Sequence, residues 1–248
     1  MHKYTIIAFI VMAVGVSVRA KTATPLPACA TNTAPLWQNS LSFGFTLARG
    51  NSDTTMADGE FSAHRNDPTN EVIASAEGIY GVANGVKNAE LLHGVGQYNH
   101  LFSQRLYGYG RGDAFHDGVA DVEYRLTVSP GLGYYFVKDK MTTFAGEAGP
   151  GGVFEKLDGS YENYSAPRLA EHLDHKWDEH THFWESVEFL PQLDMGNNFL
   201  VNAEVGAEAP LTKRISMRAV LQDNFINIPA PGRQDNDLQL ISGLVYKF

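Results

Sequence analysis

One cysteine, Cys29, stands in 248 residues, and a lone thiol cannot staple the chain to itself, so a disulfide scaffold is excluded. Beyond the N-terminal segment no run approaches the ~20 apolar residues a membrane helix requires, which excludes a helical membrane protein. Basic residues are scarce. Against 28 Asp and Glu there are 19 Lys and Arg, and the net charge of −9 speaks against a nucleic-acid binder. Disorder is excluded by 14 Phe, 11 Tyr and 3 Trp spread along the chain. What the chain does hold is 24 Gly and a hydrophobic fraction of 44%, ordinary for a soluble domain. The remainder is a β-rich chain, and composition alone does not choose between water and membrane.

Residues 1–20 carry Lys3, an apolar stretch from Ile6 to Val18 and the small-residue exit Val18-Arg19-Ala20. This is the pattern of a cleaved secretory signal peptide, whose removal takes Lys3 and Arg19 with it. Residues 21–35, rich in Thr, Ala and Pro, read as a disordered leader. Leu26-Pro27-Ala28-Cys29 has the outline of a lipobox, which would lipidate the cysteine. Arg19 and Lys21 separate it from the apolar stretch and Pro27 fits it poorly, so an incidental cysteine is the preferred reading.

From Trp37 onward apolar residues recur with period two, the strand signature. Trp37, Leu41, Phe43, Phe45 and Leu47 share one face. Val122, Tyr124, Leu126, Val128, Leu132, Tyr134 and Phe136 share another, opposed by Glu123, Arg125, Thr127, Ser129, Gly131 and Gly133. Shorter alternating runs cover 199–207 and 215–222. Eleven turn signals separate these runs: Gly50-Asn51-Ser52-Asp53, Asn66-Asp67-Pro68, Asn84-Gly85, Phe102-Ser103-Gln104, His116-Asp117-Gly118, Lys138-Asp139-Lys140, Asp158-Gly159-Ser160, Asp178-Glu179-His180, Gly196-Asn197-Asn198, Leu211-Thr212-Lys213 and Ile228–Asp237. Eleven turns make twelve strands, with about 19 residues for each strand and its connection, which suits a tilted membrane strand of about 9–11 residues. The connections are expected to alternate between tight turns and longer loops, as in a barrel with both termini in the periplasm.

A soluble β-sandwich alternates too, and three features favour the membrane. Aromatics at strand ends (Trp37, Tyr107, Tyr109, Tyr134, Phe136, Phe183, Phe189 and Tyr246) read as interfacial girdles. The opposite faces carry Gly, Ser, Thr, Glu and Arg, which suits a polar lumen. The final residue is Phe248, preceded at alternate positions by Tyr246, Leu244, Leu240 and Leu238. A terminal strand of this kind is the signature by which bacterial barrels are recognised for assembly, and its outer face must be apolar where it closes the barrel. The expectation is one antiparallel transmembrane β-barrel of about twelve strands over 36–248, in a bacterial outer membrane.

The pieces Trp37, Gly44, Gly50-Asn51-Ser52, Tyr124-Arg125-Leu126, Gly131-Leu132-Gly133-Tyr134-Tyr135, Ala145–Pro150, Arg168-Leu169-Ala170-Glu171, Asn227–Gly232, Asp237 and Leu244–Phe248 occur in an order that resembles the domain of unknown function 481 family (YdiY-like, labelled as salt-induced outer-membrane proteins). The resemblance covers nearly all of 37–248 and implies an outer-membrane barrel. It brings no established activity and no site residues.

With the apolar faces toward lipid, the lumen is expected to hold Glu123, Arg125, Glu147, Arg168, His172, Glu188, Glu204 and Arg218. Charges in a narrow interior need partners. The bland reading is a structural ion-pair network, and the sharper one a narrow pore with mild cation preference, since acids outnumber bases. His172, His175, His180 and His182 cluster with Asp174, Asp178 and Glu179 around one turn. Zinc would need about four convergent ligands, and a solvated hairpin is favoured over a metal site. A barrel hydrolase finds no Gly-x-Ser-x-Gly elbow here. Gly149-Pro150-Gly151-Gly152 lacks a following Lys-Ser/Thr and a helix, so it reads as a strand kink rather than a phosphate loop. The sequence therefore points to a non-enzymatic barrel with a structural or envelope-stress role and no catalytic residue, metal or cofactor. Its partners would be outer-membrane lipids and the barrel-assembly machinery.

Overall fold

The computed structural model describes residues 37–48, 54–178 and 181–248. The expected signal peptide, leader, Cys29, the turn at 50–53, Glu179 and His180 lie outside the described residues. Fourteen strand runs form one antiparallel sheet. Two pairs of runs are single interrupted strands, because their registers are continuous. Leu132↔Ala148 and Val128↔Gly152 keep one alignment, and Arg168↔Gly149 and Gly152↔Ser165 keep another. Counted so, there are twelve strands: β1 (Trp37–Ala48), β2 (Thr54–Asn66), β3 (Asn70–Ala83), β4 (Val86–Leu101), β5 (Leu106–Asp117), β6 (Val122–Lys138), β7 (Thr142–Gly149 and Gly152–Leu157), β8 (Ser160–Ser165 and Arg168–Lys176), β9 (His182–Pro191), β10 (Phe199–Pro210), β11 (Ile215–Ile226) and β12 (Asn236–Lys247). The interruption in β7 falls within the expected Gly149–Gly152 kink, where Pro150 has no N–H to give the ladder.

Each strand pairs with its sequence neighbour. β1 also pairs with β12, through Leu41↔Tyr246 and Phe43↔Leu244, so the ring closes. Closure leaves no sheet edge in the wall, which is what a strand-built structure needs in lipid. Trp37, Phe248, Trp177, Asp178, Thr181 and the connections 67–69, 102–105, 139–141 and 211–214 lie at one end, called here the turn end. The connections 84–85, 118–121, 158–159, 192–198 and 227–235 lie at the other, the loop end. The described turns fall on or beside the sequence signals; at His116-Asp117-Gly118 the strand continues through Asp117 and the connection is 118–121. The expected length difference is only partial, because Asn84-Gly85 and Asp158-Gly159 are two-residue turns at the loop end. Their φ values of 51° and 79°, and 49° and 75°, are positive, as a tight hairpin turn of this hand requires. At the turn end, Asp67 Oδ1 accepts the N–H groups of Thr69 and Asn70, and Asp139 Oδ1 those of Met141 and Thr142. These donors hold both carboxyls below the usual carboxylate range.

Alternation decides which side chains meet lipid. Phe43, Phe45, Leu126, Val128, Leu132 and Phe136 are exposed on the outer wall. So are Leu240, Leu244, Tyr246 and Phe248. Two expectations are corrected. A bulge between Val122 and Tyr124 shifts the register of β6, so Val122 turns inward at 0% exposure and Glu123 turns outward to Lys156, 2.6 Å away. Tyr107 and Tyr109 are not girdle residues. They share parity with Arg111 and Asp113, which must avoid lipid, and so all four point inward. There the tyrosine rings lie over Gly133 and Gly131, where any Cβ would collide with them. On β8 and β9 the same parity puts Glu171 and Glu185 on the outer wall, among Leu169, Leu173, Val187 and Phe189.

Two apolar clusters fill the lumen toward the loop end. Val122, Val153, Tyr164, Ala166, Leu190, Leu200 and Ile226 form one, and Ile79, Leu91, Val220 and Ile241 the other. Phe115 packs against both and joins them. Outside them Arg233, in the connection before β12, grips Asp121, in the connection before β6, with Nε and Nη2 at 2.6 and 2.5 Å. The guanidinium holds the Asp121 carboxyl below its usual range.

Candidate functional site

Below the apolar clusters the inward side chains turn polar and enclose a cavity of about 980 Å³. Its lining runs from the turn-end rim (Gln38, His64, Asn66, Lys176, Lys247) past the clusters (Leu190, Leu200, Ile226) to Asp117, Ala120 and Asp237 at the loop end.

On the wall formed by β4 to β9 the polar groups interlock. Glu147 accepts from Gln97 Nε2 at 2.7 Å, Tyr107 OH at 2.8 Å and Arg168 Nη1 at 2.6 Å. Arg168 also donates through Nε to Glu188, beneath the Tyr109 ring at 5.3 Å. Arg111 reaches Gln97 Oε1, Asp113 and Glu188 within 3.5 Å, and His93 Nε2 sits 2.9 Å from Asp113. At the seam with β2 and β3, Glu71 is held by His64, Asn99 and Tyr135 at 2.8, 2.9 and 3.0 Å. Arg125 and Glu155 form a buried pair at 2.5 Å near the apolar cluster. The cross-linking pairs the charges of this wall in a low-dielectric interior, while Arg125 Nη2 and Tyr109 OH are buried without a partner.

The facing wall, from β2, β3, β9, β10 and β11, is poorer in cations. Arg218 pairs with Glu60 and stacks 5.7 Å from the Trp184 ring. Glu204 accepts from Trp184 Nε1 at 2.5 Å, and Gln222 Nε2 serves both Glu77 and Glu204, at 3.2 and 3.3 Å.

Six of the eight expected lumen residues line this cavity: Arg125, Glu147, Arg168, His172, Glu188 and Glu204. Arg218 lies inside the wall on Glu60, and Glu123 is outside. Sequence reasoning missed Glu60, Glu71, Glu77, His93, Arg111 and Asp113. The β2–β3 hairpin at Asn66-Asp67-Pro68 fixes Glu60 opposite Glu77, so turn-anchored register counting would have found that pair. Of the described histidines in that cluster, His175 and His182 face opposite sides of the wall. His175 turns outward to Thr142 Oγ1 at 2.9 Å, while His182 turns inward to Asp174 at 2.5 Å. Among the described residues no group of three or more His, Cys, Asp or Glu is arranged to hold a metal.

The family model described as "Protein of unknown function, DUF481" matches residues 41–248. The chain belongs to the DUF481 family. A search of curated protein sequences returns no match. Among solved structures, the NanC porin aligns with this DUF481 barrel at a TM-score of 0.52 and 8% identity, over 84% of this chain and 98% of that one. The KdgM porin aligns at 0.46 and 9% identity, over 86% and 99%. LpxR from Salmonella typhimurium aligns at 0.45 and 10% identity, over 85% and 100%. At these identities the likeness is one of fold, and the closed twelve-strand ring supports an outer-membrane location for this DUF481 chain.

Proposed function

We propose that the protein is a non-enzymatic outer-membrane barrel whose apolar clusters close its lumen toward the outer side and leave a polar chamber open to the periplasm. The carrying observation is the pair of apolar clusters, joined at Phe115, that span the lumen from β2 to β12. With both barrel termini at the turn end, that end faces the periplasm and the loop end faces outward. An ion or sugar crossing the clusters would lose its hydration without finding polar partners. The cross-linked Arg–Glu wall beneath them acts as a rigid scaffold, which suits a structural or envelope-stress role. The exposed apolar terminal strand, Leu240 to Phe248, supports delivery by the barrel-assembly machinery. The test is swelling of liposomes carrying the refolded full chain in small neutral sugars. No swelling above protein-free vesicles is expected, and size-dependent swelling would replace the closed reading with that of a passive channel.

A further inference from the structure

On its lipid side the wall carries a groove of about 550 Å³ across β5 to β9. We propose that this groove seats an anionic phospholipid, with an acyl chain along the groove and the phosphate at Arg105 and Lys140. The site is on the outside of the barrel and stands whether or not the lumen is closed. Gly146 and Ala148 of β7 form the floor, with Leu132 and Tyr134 on one flank and Leu169 and Phe189 on the other. The registers Tyr134↔Gly146, Leu132↔Ala148 and Leu169↔Ala148 set large side chains beside small ones, so the strand pairing itself makes the depression. Left empty, its lining would lose dispersion contacts, and in a hydrocarbon setting an acyl chain is what fills it.

Charge complementarity selects the headgroup. At the turn end of the groove, Leu106 and Phe136 stand beside the β4–β5 and β6–β7 connections. Leu106 pairs with Tyr134, which makes these two connections neighbours around the ring. They carry Arg105 and Lys140, both exposed and neither in an ion pair with a described residue. Lys213 and Arg214, in a further turn-end connection, are equally exposed and equally outside such a pair. The loop end is the opposite. There Lys87, Lys156 and Arg233 are each bound to a carboxylate, of Glu90, Glu123 and Asp121. The acid of the two connections, Asp139, directs Oδ1 to the N–H groups of Met141 and Thr142. Glu171 lines the far side of the groove in the row of Gly146, away from the turns that hold the cations. Each connection also sets an apolar side chain beside its cation, Phe102 at 60% exposure and Met141 at 45%. The Phe102 ring lies against the outer wall at Gly108. A basic residue with an apolar neighbour suits a turn seated at the membrane interface, where apolar groups meet acyl chains and the charge meets phosphate. A phosphate without its own ammonium gains most from such cations, about fivefold in affinity for each.

The test is native mass spectrometry of the refolded full chain in detergent, titrated with phosphatidylglycerol or with phosphatidylcholine of the same acyl chains. Retention of one phosphatidylglycerol is expected, at an apparent affinity at least fivefold above that for phosphatidylcholine. Arg105→Gln/Lys140→Gln should abolish that preference, whereas Lys87→Gln at the loop end should keep it. Ala148→Leu, which fills the floor, should weaken retention of both lipids at least threefold. Heat-modifiable gel mobility verifies that each variant is folded, and Ala148→Val is read if Ala148→Leu is not. Excess inorganic phosphate should leave the lipid in place. Equal retention of the two lipids, a folded double variant that keeps the preference, a filled floor without effect, or displacement by phosphate overturns the assignment.

Discussion

Along β9 the inward side chains run His182, Trp184, Ser186, Glu188 and then Leu190; along β6, read in the same direction, Tyr135, Ser129, Thr127 and Arg125 give way to Val122. The turn-end half of the lumen is thus a hydrogen-bonded polar chamber, while the loop-end half holds the packed apolar clusters together with the buried Arg125–Glu155 pair and Asp117. Over the same span the outer wall changes little, from Tyr134 and Phe136 through Leu132 and Val128 to Leu126 and Tyr124. Lipid dictates the outer face at every level, whereas the inner face is free to switch character. The plug is therefore a property of particular side chains, and small substitutions can convert one half into the other.

The largest effect is expected from removing the join. Phe115→Ala with Leu190→Ala should turn a silent barrel into one with discrete conductance, while costing about 2–5 kcal/mol of stability per truncated side chain; heat-modifiable mobility checks that the barrel survives. Next comes the boundary between the halves. Arg125→Met strands the buried Glu155 carboxylate and should cost about 3–5 kcal/mol in a denaturant titration. Glu123→Gln, two residues away but outside the lumen, should stay within about 0.5 kcal/mol. Equal losses would refute the bulge that separates the two. The outer wall has its own exception in Glu171 and Glu185. Glu185→Leu should stabilise the barrel in lipid by up to about 2 kcal/mol, since a carboxylate facing hydrocarbon is unfavourable.

The smallest effect belongs to the Asp121–Arg233 bridge over the loop end. Its aspartate pKa is depressed in the folded barrel, so its contribution is present above the unfolded value of about 3.9 and is lost as pH falls through the lower folded value. Hydrogen exchange of residues 230–235 should show a modest loss of protection on that acidification, and Asp121→Asn should remove the pH dependence.

Much of the fold was legible because lipid enforces a strong period-two signal on β1, β6 and β12, and because Asn-Gly, Asp-Gly and Asp-Lys punctuate the chain at hairpin turns. The lumen was less legible for two physical reasons. Parity propagates along a strand only until a bulge, which is why Glu123 and Val122 exchanged places. On β2 and β3 the outward positions are small (Ala57, Gly59, Ala74, Ala76, Gly78), so hydrophobic contrast with the inward Glu60, Glu71 and Glu77 is weak. The closure of the loop end was invisible for a third reason: it depends on which strands face each other across the ring, and Phe115, Leu190 and Ile241 are far apart in sequence.

The most direct measurement is a planar-bilayer recording of the refolded full-length chain across several salts, run beside the Phe115→Ala/Leu190→Ala variant. A silent wild type and a conducting variant are expected if the apolar clusters close the lumen. Discrete conductance in the wild type, or a folded variant that stays silent, would contradict that closure.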